Sequence, residues 1–191
     1  NSEARYVAKT ISHLHRQENQ SYDDIAVFYR MNAQSRVLEE QMRLNNIPYR
    51  LVGTIRFYER LEIKDIISYM KLLFNPSDDV AIKRVLNRPA RGIGKTTLQK
   101  IEDYCDLHKT SFFEGLQQIT STGELRDASG KKILKFLEIL SRLKEEQKKG
   151  QTPLQTYHLI LQETQYSEFL KQEGTPDAED RLANLQELDN A

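Results

Sequence analysis

The chain has 191 residues, 38% hydrophobic and 29% charged, with 28 basic residues balanced by 28 acidic ones and one cysteine. That length can bury a core without staples, and no apolar run approaches the roughly 18 residues a membrane span needs. A lone cysteine, Cys105, allows no intrachain disulfide, which points away from an oxidising compartment and toward the cytoplasm.

The neutral total hides a polarity along the chain. From Val80 to Lys100 the residues Lys83, Arg84, Arg88, Arg91, Lys95 and Lys100 have no acid among them. From Gln172 onward, Glu173, Asp177, Glu179, Asp180, Glu187 and Asp189 face Arg181 alone.

In chain order, Ala4, Val7, Ala8, Ile11 and Leu14 recur at helical spacing and predict an amphipathic helix to about Gln17. "IAVFYR" after the turn-like "NQSYDD" reads as a buried strand, Ile25 to Arg30. Ser35 can then cap a helix bearing Val37, Leu38, Met42 and Leu44, and Pro48 leads into a second strand, Tyr49 to Val52. Strand, helix, strand with short links is a βαβ unit, so the front third is expected to be α/β. Beyond it the strands stop. Ile63, Ile66, Ile67, Met70, Leu73 and Phe74 stripe a helix that Pro76 ends. Asp78 or Asp79 can cap the next helix, to about Asn87. Further helices are predicted at Lys95–His108, Ser111–Gln118, Gly130–Lys148, Pro153–Gln162 and from about Ala178 onward. The first helix begins without an initiating Met and the last has no stop signal, so both ends look like cuts through a larger architecture.

The stretch "NRPARGIGKTTLQKI" poses a choice between a nucleotide P-loop and another phosphate device. A P-loop needs G-x-x-x-x-G-K-[ST] after a buried strand. Gly94, Lys95 and Thr96 fit, but Pro89 stands at the first glycine position, where it fixes φ and offers no N–H, and "DDVAIKRVLNRP" reads as a helix. What remains is helix, short hairpin, helix, with Gly92, Ile93 and Gly94 at the bend. Glycines let a backbone come close to a phosphate, and the start of the second helix favours an anion. Ile93 would anchor the hairpin, Thr96 or Thr97 could add a hydroxyl, and Arg88, Arg91 and Lys95 would supply attraction. Such contacts read the nucleic-acid backbone and weaken steeply with salt. The bland alternative is that both glycines merely permit a turn between packed helices.

"IAVFYRMNAQSRVLEEQMRLNNIPYRLVG", "FYERLEIKDIISYMKLLFNPSDD", "RGIGKTT" and "RLANLQEL" resemble, in that order, successive segments of the superfamily 1 DNA helicases of the PcrA, UvrD and Rep type, most closely the Gram-positive PcrA branch. The last is similar to the family's "RLENLDEF". The likeness covers nearly the whole chain, and long matches in order are far more specific than any short motif. It implies that residues 1–64 are part of a RecA-like domain, 2A, and residues 65–191 most of an inserted helical domain, 2B, with a helix-hairpin-helix. Carried over, Gly92, Ile93, Gly94, Thr96 and Thr97 would lie at duplex DNA with Arg91 and Lys95 nearby. Asn32, Gln34 and Arg36 would lie beside the single-stranded track; for Asn32 and Gln34, capping and local packing is an equal alternative. Phe57 and Tyr58, between Arg56 and Arg60, match the junction of the two domains, where they could stack on a strand or, more simply, pack in the core. The family's P-loop, its Asp-Glu magnesium motif and its ATP-contacting Gln-Asn-Tyr-Arg and Thr-Arg segments are absent from this sequence. The resemblance thus implies a parent enzyme that uses ATP and Mg to unwind DNA with 3′ to 5′ polarity in replication and repair, and a fragment with no cofactor or catalytic residue that grips the duplex. The partners implied are DNA, at a duplex and single-strand junction, and the missing helicase domains.

No other chemistry stands out. His13 and His15 are two apart and share no helix face. Cys105 and His108 could approach each other but lack a third group. Two other readings stay open: a freestanding helix-hairpin-helix DNA-binding module, and a helical protein-interaction adaptor. Unpaired apolar strand edges in the front third would be an association hazard.

Overall fold

Helically spaced apolar residues and capping side chains build nearly all the secondary structure in the computed structural model, which describes residues 2–30, 34–52, 55–125 and 128–189. By its contacts the chain forms two units, one of residues up to Ile63 together with those from Thr175 onward, the other Lys64–Gly174.

In the first unit, α1 (Ser2–Gln17) buries Ala4, Ala8 and Ile11, and α2 (Gln34–Leu44) packs on it through Met42. Ala8, Ile11, Met42 and Ile47 form a small core, with Val7, Tyr22 and Ile25 against it. The two expected strands do not form. Ile25 has extended dihedrals, φ −109° and ψ 125°, yet neither Ile25–Arg30 nor Tyr49–Val52 enters a ladder, and no strand occurs among the described residues. A strand exists only where a neighbour takes up its N–H and C=O groups. The expected burial fails with the ladder: Phe28 is 93% exposed and Val52 79%. The described fold is therefore mostly helical.

Ser35 departs from its expected role as well. It lies inside α2 rather than capping it, fully buried. Its hydroxyl donates to Glu39 Oε1 (3.1 Å) and accepts from Arg60 Nη2 (2.7 Å). Arg60 follows a short 3-10 turn (Phe57–Glu59) and also donates to Asn184 Oδ1 on the last helix, α10 (Pro176–Asp189). Asn184 in turn donates to Glu62 Oε1 (2.7 Å), and Tyr49 OH reaches Glu39 Oε2 (3.3 Å). Burial pushes the Glu62 carboxyl above its ordinary value and lowers that of the Arg60 guanidinium. A buried cation is tolerable only when its donors are matched, as they are here.

The second unit starts within α3 (Leu61–Phe74). Asp78 caps α4 (Asp79–Val85), accepting from Ala81 N at 2.9 Å. After α5 (Lys95–His108), Ser111 and Glu114 form a capping box on α6 (Phe112–Ser121). α7 (Ala128–Lys148) is the long central helix. Thr152 and Gln155 make a second capping box on α8 (Pro153–Thr164), with Pro153 in the first turn where its missing N–H does no harm. Then comes α9 (Tyr166–Glu173), which no sequence signal announced. α6 packs on α4, α5 and α7, and α7 on α8, around Ile82, Ile101, Leu116, Ile133, Phe136 and Ile160. α5 and α6 approach closely because residue 115 is glycine; a Cβ there would lie 2.2 Å from Cys105 Sγ. Asp65, buried on α3, is tied to the unit by Tyr166 OH (2.6 Å) and Arg84 Nε (2.7 Å).

Candidate nucleic-acid interface

The connection between α4 and α5 is shaped by two side chains. Asn87 Oδ1 accepts from the backbone N–H groups of Arg91 (2.7 Å) and Ile93 (3.2 Å), drawing the chain into a tight loop. Arg91 folds back over the end of α4. Its Nη1 lies 3.0 to 3.2 Å from the carbonyls of Val85, Leu86, Arg88 and Pro89, and its Nη2 donates to Tyr69 OH at 2.7 Å. A guanidinium suits this position because the last carbonyls of a helix lack intrahelical partners and carry the negative end of its dipole. Arg91 also lies over the Phe136 ring, 5.2 Å from the centroid. The Tyr69 phenol donates to Arg88 O at 2.6 Å. Burial pushes its pKa up to about 12, against the opposing pull of Arg91.

The glycines differ from one another. Gly92 sits at φ +68°, a conformation side chains rarely adopt, and its carbonyl accepts from Lys132 Nζ at 3.0 Å. Ile93 is 3% exposed and anchors the loop in the core as its spacing predicted. Gly94 is the N-cap of α5, with ordinary dihedrals of φ −82° and ψ 167° and no side-chain cap. A Cβ built on it would have Thr96 Oγ1, 3.9 Å away, as its nearest neighbour. Lys95 and Thr96 are exposed. Thr97 is buried, and its hydroxyl donates to Ser129 Oγ on α7 at 3.3 Å.

The basic run therefore splits in two. Arg84 pairs with Asp65, Lys83 with Glu102 at 2.7 Å, and Arg91 with carbonyls. Arg88, Lys95 and Lys100 are exposed and make no ion pair among the described residues. Of the residues singled out from the sequence, Gly92, Gly94, Lys95 and Thr96 present an accessible surface, whereas Arg91, Ile93 and Thr97 face inward and build the loop.

In the first unit, Arg36 is 5% exposed. It pairs with Glu187 (3.1 Å) and Glu40 (3.5 Å), its guanidinium 5.9 Å from the Phe57 centroid. Its guanidinium is engaged by two carboxylates. Gln34 Oε1 accepts from Arg30 N at 3.1 Å, a local bond. Asn32 lies outside the described residues. Phe57 is 1% exposed, in agreement with core packing, while Tyr58 and Arg56 are exposed. Cys105 and His108 do not pair: Cys105 Sγ lies 3.7 Å from Ser111 O, and His108 stacks on Tyr104. Burial raises the Cys105 thiol pKa.

Sequence reasoning missed Asn87, Tyr69, Ser129 and Lys132. Asn87 at the end of α4 is a turn-forming residue whose side chain can bond nearby backbone, a signal readable in the sequence. Tyr69, Ser129 and Lys132 reach the loop only through tertiary packing, so no local signal could have found them.

The family model for the UvrD-like helicase C-terminal domain matches residues 1–191, and the chain belongs to that family. Among its relatives, ATP-dependent DNA helicase PcrA of Bacillus subtilis is 38% identical over 193 residues, which cover 97% of this chain and 25% of that protein. The PcrA proteins of Staphylococcus epidermidis and Staphylococcus aureus are 36% and 35% identical, with the same coverage. The chain spans about a quarter of the length of the curated relatives it matches. No helix among the described residues is long and apolar enough to cross a membrane.

Proposed function

We propose that this chain is the duplex-gripping part of an ATP-dependent 3′ to 5′ DNA helicase acting in replication and repair. Residues 1–64 correspond to part of the RecA-like domain 2A and residues 65–191 to most of the helical domain 2B. The α4–loop–α5 segment is its helix-hairpin-helix, and the Ile25–Arg30 and Tyr49–Val52 segments would form strands only with partners from the rest of 2A. A duplex backbone phosphate would sit against Gly94 and the first turn of α5. The N–H groups of Lys95 and Thr96 and the Thr96 hydroxyl would donate to it, and Arg88, Lys95 and Lys100 would hold the duplex at longer range. Membership of a DNA helicase family and relatives named ATP-dependent DNA helicases support this reading.

Gly94 carries it within the chain. The fold does not require a glycine at that position: its dihedrals suit any residue, and a Cβ there would make only an ordinary contact with Thr96 Oγ1 at 3.9 Å. A bare backbone on an exposed helix start is of use to something that approaches from outside. The Gly94-Lys95-Thr96 run does not fit the phosphates of ATP: it follows helix α4 instead of a strand, and Pro89 occupies the position of the first P-loop glycine. No step through ATP or Mg is assigned to these residues.

The test is binding of the chain to a labelled duplex with a 3′ single-stranded tail across a salt series, beside Gly94→Ala. Hydrogen bonds to a charged group contribute about 1.5–3 kcal/mol, so holding the phosphate off by one methyl should weaken binding about tenfold or more. Affinity in the unsubstituted chain should fall steeply with salt. Equal, negligible binding by both proteins would leave Gly94 a turn residue and favour the adaptor reading.

A further inference from the structure

We propose that Lys132, on the first turns of α7, is a second phosphate-contacting group of this interface, held in place by the Gly92 carbonyl. The inference rests on the duplex-grip reading above and adds to it a residue from a different helix, 40 positions beyond the glycine it touches.

Three observations converge on Lys132. Its Nζ donates to Gly92 O at 3.0 Å, so the ammonium sits on the exposed side of the hairpin instead of sampling solvent. An ammonium has three donors, and one bond to a carbonyl leaves it able to give others outward. Among the described residues it makes no ion pair, so no described carboxylate neutralises it. The Gly92 carbonyl oxygen is itself an electronegative atom on a surface that must receive a polyanion, and the bond from Lys132 offsets it.

The arrangement gives Gly92 a second reason to be glycine. Besides the positive φ, a Cβ at residue 92 would lie 2.7 Å from Lys132 Nζ and displace the ammonium from its seat. The contact between Thr97 Oγ1 and Ser129 Oγ, 3.3 Å, joins the first turn of α5 to that of α7, so Lys132 is fixed relative to Gly94 and Lys95 by packing. Two helices would then meet neighbouring phosphates of one duplex, which widens the grip without adding any base contact.

The experiment repeats the salt series on the chain with Lys132→Gln, Lys132→Arg and, as a control of equal charge change at the far end of α7, Lys148→Gln. Thermal unfolding checks that each variant folds. Lys132→Met, which keeps the alkyl stem, replaces the Gln variant if that one loses the fold. One lost phosphate contact should make the slope of log affinity against log salt shallower by about 0.9 and weaken binding several-fold at low salt. Lys132→Arg and Lys148→Gln should keep the original slope. If the unsubstituted chain binds with a steep slope that Gly94→Ala weakens, and Lys132→Gln leaves slope and affinity unchanged, Lys132 is only a structural tether and the proposal fails while the grip reading stands. If the unsubstituted chain does not bind the duplex at all, both fall together.

Discussion

Arg91→Ala is expected to lower the stability of the Lys64–Gly174 unit by about 2–4 kcal/mol, because the substitution removes several hydrogen bonds from one charged group at once. The carbonyls at the end of α4 lose their cap, and the phenol of Tyr69, which is completely buried, loses the donor at 2.7 Å. Arg91→Lys should recover less than half of the loss, since a single ammonium cannot span the carbonyls of Val85 and Pro89 and also reach Tyr69. Urea unfolding followed by helical circular dichroism measures it. Below the unfolding midpoint, the salt slope of DNA binding should be the same in Arg91→Ala as in the unsubstituted chain. A variant of unchanged stability with a shallower slope would instead put this guanidinium on DNA.

The second large effect is expected at Arg60. Arg60→Met should destabilise the first unit by about 3–5 kcal/mol, the usual range when one partner of a buried charged cluster is removed. Ser35 Oγ and Asn184 Oδ1 would lose their donor, and Glu62 would lose the nearby positive charge that favours its ionised form. The loss should depend on pH. Burial already holds the folded-state pKa of Glu62 above its ordinary value, so the folded protein binds this proton more readily than the unfolded chain. Stability from this group is accordingly present at low pH and declines as pH rises through the window above the ordinary carboxylate range. Without Arg60 that window widens upward, and unfolding curves should show a larger deficit at pH 8 than at pH 5. An equal deficit at both would mean that Glu62 does not sense Arg60.

The helical part of this fold was legible because its signals are local. Asp78, Ser111 and Thr152 sit where capping chemistry demands, and Pro76 ends its helix as its missing N–H requires. α9 was missed because α8 breaks at Gln165, which adopts a left-handed φ of 54° without being glycine. Tyr166 and Leu170 beyond the break are buried, and no turn residue marks it. Strands at Ile25–Arg30 and Tyr49–Val52 were expected from β-branched and aromatic content, but a strand is a property of pairs, and composition cannot supply the partner. For the interface, Ile93 and the glycines could be read from spacing. Charge could not be apportioned the same way. A run of cations looks uniform in sequence, and only packing reveals that Lys83, Arg84 and Arg91 are held by carboxylates and carbonyls while Arg88, Lys95 and Lys100 face outward. Lys132 entered through a contact between residues far apart in the chain, which no local pattern encodes.

The central claim is that the hairpin backbone meets the phosphates of a duplex, and it is tested most directly by following backbone amide resonances while the isotope-labelled chain is titrated with a duplex bearing a 3′ tail. The account predicts that the largest shifts fall on Gly92, Gly94, Lys95 and Thr96, with smaller ones on Ser129 and Lys132, and that Ile11 and Met42 in the core of the first unit stay still. Shifts concentrated elsewhere, with the amides of Gly94 to Thr96 unmoved at saturation, would contradict it.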